Sequence, residues 1–164
     1  MASDNLQILL SAIEKEASSF EAYVEGQHAF SKALGLRDWP ALERAMAELE
    51  TKAGLIMEAE SSRAAAETFV KLEFGILDEG IDRIAFAVPE PVRSELIDLH
   101  RRLRISAMRA RLENSALGDY AAASRELLGA VLEELFPEKK GRIYGASGRT
   151  IQSSHDALLL NTAL

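Results

Sequence analysis

Apolar residues recur at Leu6, Leu10, Ile13, Ala17, Phe20 and Val24 in alternating steps of four and three, the period of a helix that seats one face against other helices. A first helix is therefore predicted from about Asp4 to Leu34, capped by Ser3 or Asp4 and stopped by Gly35. A second opens at Asp38-Trp39-Pro40, where a carboxylate can accept from first-turn amides and proline fits the first turn. Its seam reads Leu42, Met46, Leu49, Ala53 and Ile56, thins to small and polar residues from Glu58 to Glu67, and resumes at Phe69, Val70, Leu72 and Phe74. Gly75, Gly80, Pro89 and Pro91 then interrupt the chain, yet Ile76, Leu77, Ile81, Ile84, Ala85 and Val88 suit a short amphipathic helix across the bundle end. A third long helix is expected from about Pro91 to Phe136, with Glu90 favourable at its positive end and a seam of Val92, Leu96, Leu99, Leu103, Ala110, Leu117, Tyr120, Leu127 and Val131.

These elements imply an all-α fold: an antiparallel three-helix bundle of coiled-coil type, with a short connecting helix and a C-terminal tail. The division expected is a helical bundle over residues 1–136 and an interaction tail over 137–164. At 1.5 Å per residue a helix of about 45 residues spans roughly 65 Å, so the two shorter helices cover about two-thirds of the third. The uncovered part still carries Leu117, Tyr120, Leu127, Leu128, Val131, Leu132 and Leu135. Such a face suits a partner's amphipathic helix; ordinary core packing or a homodimer seam would bury the same residues. In the tail, His155 to Leu164, including Leu158 and Leu159, is long enough for one or two helical turns that fold only against something else, or stays disordered.

Composition narrows the function. The chain has 164 residues, 48% hydrophobic and 27% charged, which suits a single folded domain with a sizeable core. No apolar run reaches the roughly 18 residues of a membrane span, and the start Met1-Ala-Ser-Asp-Asn lacks a signal peptide's basic and apolar regions. With no cysteine for disulfides or thiolate sites, a cytoplasmic protein is expected. The net charge is −7, and residues 1–88 hold 8 Lys/Arg against 16 Asp/Glu, which argues against nucleic acid. Arg101, Arg102, Arg104, Arg109 and Arg111 run against that trend; a salt-bridged helix surface or an acidic patch on a partner accounts for them.

Catalytic chemistry finds little support. Glu25 and His28 have the spacing of a di-metal bundle ligand pair, but such sites need a second copy of the motif and further glutamates. His100 and His155 stand without a nucleophile or partner motif, and the Gly145 to Gly148 turn lacks the lysine and preceding strand of a phosphate loop. The expectation is a protein without enzymatic activity, metal or cofactor.

The segment Arg142-Ile-Tyr-Gly-Ala-Ser-Gly-Arg-Thr150 follows the last long helix, and its glycines allow tight turns on either side of Ala146-Ser147 that present Tyr144. Tyr144, Gly145, Gly148 and Thr150, with the trailing Ser153-Ser154-His155, resemble the C-terminal signature of FlgN-type flagellar export chaperones. The resemblance covers the whole chain in architecture and about its last third in residue detail. It implies a cytoplasmic chaperone, monomeric or weakly dimeric, that binds hook-associated proteins of FlgK and FlgL type. It further implies that Leu117, Tyr120, Leu127, Leu128, Val131, Leu132, Leu135, Leu158 and Leu159 hold the cargo. Tyr144, Gly145, Gly148 and Thr150 would then dock on a component of the export gate. The insert from Gly75 to Pro91 and the apolar chain end depart from that pattern. The alternative is a structural coiled-coil protein that forms a homo-oligomer through the exposed face of the third long helix.

Overall fold

The computed structural model describes residues 4–77 and 80–135, together with the backbone of residues 143–144 and 150–151. Four helices carry it: α1 (Asp4–Leu36), α2 (Trp39–Phe74), α3 (Ile81–Ala87) and α4 (Val92–Leu135). The all-α bundle with a short connecting helix is therefore the observed architecture. Two two-residue strands follow, β1 (Ile143–Tyr144) and β2 (Thr150–Ile151), paired antiparallel with Ile143 opposite Ile151 and Tyr144 opposite Thr150. The chain divides into two compact units, Met1–Tyr120 and Ala121–Leu164.

Side-chain pairings in the first unit give the helix directions. Asn5 reaches Glu73, Glu16 meets Arg63, and Gly26 faces Leu49, so α2 runs antiparallel to α1. Glu21 binds Arg102, Gln27 meets Ala110 and Asn114, and His28 meets Glu113, so α4 runs parallel to α1. The core joins Leu6, Leu9, Leu10, Ile13 and Ala17 of α1 to Ala66 and Val70, to Ile81, Ile84 and Val88, and to Leu96 and Leu103. Each buried leucine or isoleucine contributes about 1.5–3 kcal/mol of transfer free energy.

The α1 seam is double rather than single. Leu9 and Leu10, Glu16 and Ala17, and Gly26 and Gln27 are buried as neighbouring pairs, because α1 is gripped by α2 on one side and α4 on the other. On α2 the expected Leu42, Leu49, Ala53 and Ile56 are half-buried, while Met46 is exposed and Ala45 is buried in its place. Leu42, Ala45, Leu49, Lys52, Ile56, Ala59, Arg63, Ala66 and Val70 are all buried or half-buried and alternate in steps of three and four, with Ala41, Ala53, Glu67 and Lys71 half-buried beside them. Met46 is exposed, as are Phe69, Leu72 and Phe74, leaving Val70 to carry the end of that seam. Alanine at three of these positions lets the backbones approach, and a Cβ on Gly26 would meet Leu49 Cδ2 at 3.0 Å.

The helix ends follow local chemistry. Gly35 lies inside α1 rather than ending it; Arg37 takes the left-handed conformation at φ 55°. The Arg37 amide donates to the Leu34 carbonyl and the Asp38 amide to that of Ala33, a closure that satisfies two terminal carbonyls. Asp38 then caps α2 as expected, accepting from the Ala41 amide at 3.0 Å. Gly75 ends α2 at φ 65°. In α3, Ile81, Ile84 and Ala85 are buried together with Val88 just beyond it, whereas Leu77 is fully exposed, contrary to its expected place in that apolar face. Arg93 closes the corner into α4, donating to the carbonyls of Ala85 and Val88 at 2.9 Å each.

Candidate protein-binding face

The heptad seam of α4 is buried or half-buried at Val92, Leu96, Leu99, Leu103, Ser106, Ala110, Glu113 and Leu117. Stepping on by the same threes and fours reaches Tyr120, Leu127 and Val131, and these are 55%, 68% and 40% exposed. Leu128, Leu132 and Leu135 are exposed too, and every residue from Gly118 to Leu135 is open to solvent. In the second unit none of the described side chains of α4 is buried. This open part of α4 offers aliphatic side chains at helical spacing, the chemistry that receives an amphipathic helix.

Where the face is covered, a polar layer fixes the pairing of α1 and α4. Gln27, with no exposed surface, donates from Nε2 to the Ala110 carbonyl at 3.1 Å and to Asn114 Oδ1 at 2.7 Å. Its Oε1 has no hydrogen-bond partner among the described residues. Nearby, Tyr23 donates to Asn114 and His28 lies 3.3 Å from Glu113. His28 is therefore matched with a carboxylate across the helix pair. Glu25 is exposed, and among the described residues no group of three acidic or histidine side chains is arranged to hold a metal ion.

The arginines of α4 separate into distinct roles. Arg102 grips Glu21 through two hydrogen bonds of 2.8 and 2.7 Å, and this contact holds the Glu21 carboxyl below the usual range. Arg101 pairs with Asp98 on its own helix at 2.9 Å. Across the bundle, Glu16 is buried against Arg63, which also binds Glu67, while Lys71 binds the other Glu67 oxygen. Burial raises the Glu16 pKa despite the Arg63 contact.

Of the residues expected to hold cargo, Leu117 is half-buried and Tyr120 exposed in the first unit; Leu127, Leu128, Val131, Leu132 and Leu135 are exposed on α4 in the second. Leu158 and Leu159 lie outside the described residues, as do Gly145 and Gly148. Tyr144 and Thr150 face one another as partners in the β1–β2 ladder. Leu112 was legible as part of the apolar half of α4, but sequence reasoning missed Ile105 and Met108, which form an exposed row with it at spacings of three and four among arginines. Among the described residues no helix is long and apolar enough to cross a membrane. No family model, curated protein or solved structure matches the chain.

Proposed function

We propose that the protein is a non-enzymatic, cytoplasmic export chaperone of FlgN type. It holds an amphipathic terminal segment of a FlgK- or FlgL-like hook-associated protein on the open face of α4. One observation carries this reading: the seam of α4 is buried or half-buried as far as Leu117, whereas Tyr120 in the first unit and Leu127 and Val131 in the second are exposed. Segments that polymerise outside the cell associate prematurely when their apolar faces are free. A helix with an open face of the same kind keeps them soluble, at about 25 cal/mol per Å² of apolar surface buried before ordering costs. Tyr144 provides a separate contact for the export gate, with ring area and a hydroxyl together. Its strand pairs antiparallel with Thr150–Ile151.

The test is co-purification of the full chain with FlgK- and FlgL-like proteins of a flagellated host. Retention of one of them is expected, with loss in Leu128→Glu/Leu135→Glu and no loss in Tyr144→Ala. If the wild-type chain retains neither and sedimentation shows a dimer that Leu128→Glu/Leu135→Glu dissolves, the homo-oligomer reading replaces this one.

A further inference from the structure

The outward side of α4 within the first unit carries Ile105, Met108 and Leu112, which are 47%, 61% and 64% exposed. At 100° per residue these three fall within about 60° of arc, opposite the buried row of Leu96, Leu103 and Ala110. Arg101 lies in the same arc, Arg104 and Arg111 flank it on one side, and Arg109 flanks it on the other. The five-arginine cluster is therefore not dispersed evenly round the helix. Arg102 turns inward to Glu21, and the remaining four surround an exposed apolar row.

Beside this row lies a shallow cleft of about 290 Å³, lined by Arg101, Arg102, Arg109, Ile105, Ser106 and the acidic pair Asp98 and Glu21. Glu21 shows how a carboxylate sits here: both its oxygens are held by Arg102, and the charge of Arg109 acts on it as well. One acid thus satisfies one arginine. Asp98 takes a second, and Glu113 is engaged by His28.

We propose that this outward stripe of α4 is a docking surface for an acidic amphipathic helix of another protein, whose apolar side chains cover Ile105, Met108 and Leu112 while its carboxylates engage Arg104, Arg109 and Arg111. Charge complementarity selects this occupant. Guanidinium groups bind carboxylates in a planar, bidentate manner. The chain as a whole is at −7, so a basic stripe on an acidic body draws an acidic partner to one face and orients it. A nucleic-acid backbone offers no apolar side chains to cover Ile105, Met108 and Leu112, which an amphipathic helix does. The surface is separate from the face assigned to cargo, and the inference does not depend on that assignment.

The experiment uses the full chain and two synthetic amphipathic helices of about 20 residues. Both have leucines at helical spacing; one has glutamates beside the leucines and the other lysines. Fluorescence anisotropy is expected to show the glutamate peptide binding at least tenfold more tightly than the lysine peptide, with the difference shrinking as salt rises. Met108→Glu and Arg104→Glu/Arg111→Glu, all at exposed positions, should each weaken the glutamate peptide about tenfold or more, while Leu128→Glu/Leu135→Glu leaves it unchanged. Equal binding of the two peptides, binding by neither, or loss in Leu128→Glu/Leu135→Glu alone overturns the proposal. So does self-association of the wild-type chain that Met108→Glu abolishes when the glutamate peptide fails to bind. Binding to phosphatidylserine vesicles in preference to the peptide assigns the stripe to a lipid surface and overturns it equally.

Discussion

Gln27 of α1 and Asn114 of α4 meet side chain to side chain at 2.7 Å, at a level where Gln27 is wholly buried and its Oε1 is left without a partner among the described residues. A buried amide with half its capacity unused specifies which residues face each other more than it stabilises the pair. Gln27→Leu keeps the volume and removes the orphaned oxygen, so it should stabilise the fold by about 1 kcal/mol. Thermal denaturation checks this; a lower Tm than wild type shows that the two donated hydrogen bonds outweigh the unpaired oxygen.

Glu16 and Arg63 form the opposite case, a buried acid that depends on its neighbour. Arg63→Ala leaves that acid unpaired and should cost about 3 kcal/mol near neutral pH. Burial already raises the Glu16 pKa, so its favourable contribution is present in the protonated form below the unfolded value and is lost as pH rises through the folded one. Arg63→Ala should therefore lose less stability in mildly acidic urea titrations than at neutral pH. A deficit that is the same at both pH values contradicts the pairing.

Two helical glycines should answer differently to a side chain. Around Gly54 nothing lies within 4 Å of an added Cβ, so Gly54→Ala should gain about 0.5–1 kcal/mol from the reduced freedom of the unfolded chain. At Gly26 the added atom meets Leu49 and Lys52, and Gly26→Leu should cost about 1–3 kcal/mol by forcing α1 from α2. Denaturant midpoints for the two variants, compared with wild type, read the contrast directly.

His100 is half-buried on α4, and burial holds its pKa below the ordinary 6.5, against the opposing pull of Asp82 and Glu67 and with the help of Arg104 and Arg63. A base depressed in the folded state stabilises it while neutral. That contribution is present above pH 6.5 and is lost as pH falls, because the unfolded chain takes the proton first. His100→Gln should accordingly flatten the fall in Tm below pH 6.5, and a slope equal to that of wild type would exclude this role.

The register of α1 and the start of α2 were readable because leucine, isoleucine and Asp38-Pro40 announce themselves. The α2 seam was readable at Leu42, Leu49, Ala53, Ile56 and Val70 but not at Ala45, Ala59 and Ala66 beside Lys52 and Arg63, because alanine marks no face and a charged residue looks like surface until its partner is known. Arg37 taking a left-handed angle two residues after a glycine is likewise invisible to a rule that favours glycine. The open stretch of α4 was legible from helix lengths and apolar content. Ile105 and Met108 were hidden because they became apolar surface only when Leu96, Leu103 and Ala110 were seen to turn inward.

Arg93 ties the opening turn of α4 to the closing carbonyls of α3, while Leu96 and Leu103 lock the next turns into the core. Amides in those buried turns should therefore exchange with deuterium more slowly than those from Ala121 to Leu135, whose side chains all face solvent, and hydrogen-exchange mass spectrometry reads the contrast. On that expectation a single helix holds two protection levels, high where its side chains enter the core and low where none of them is buried.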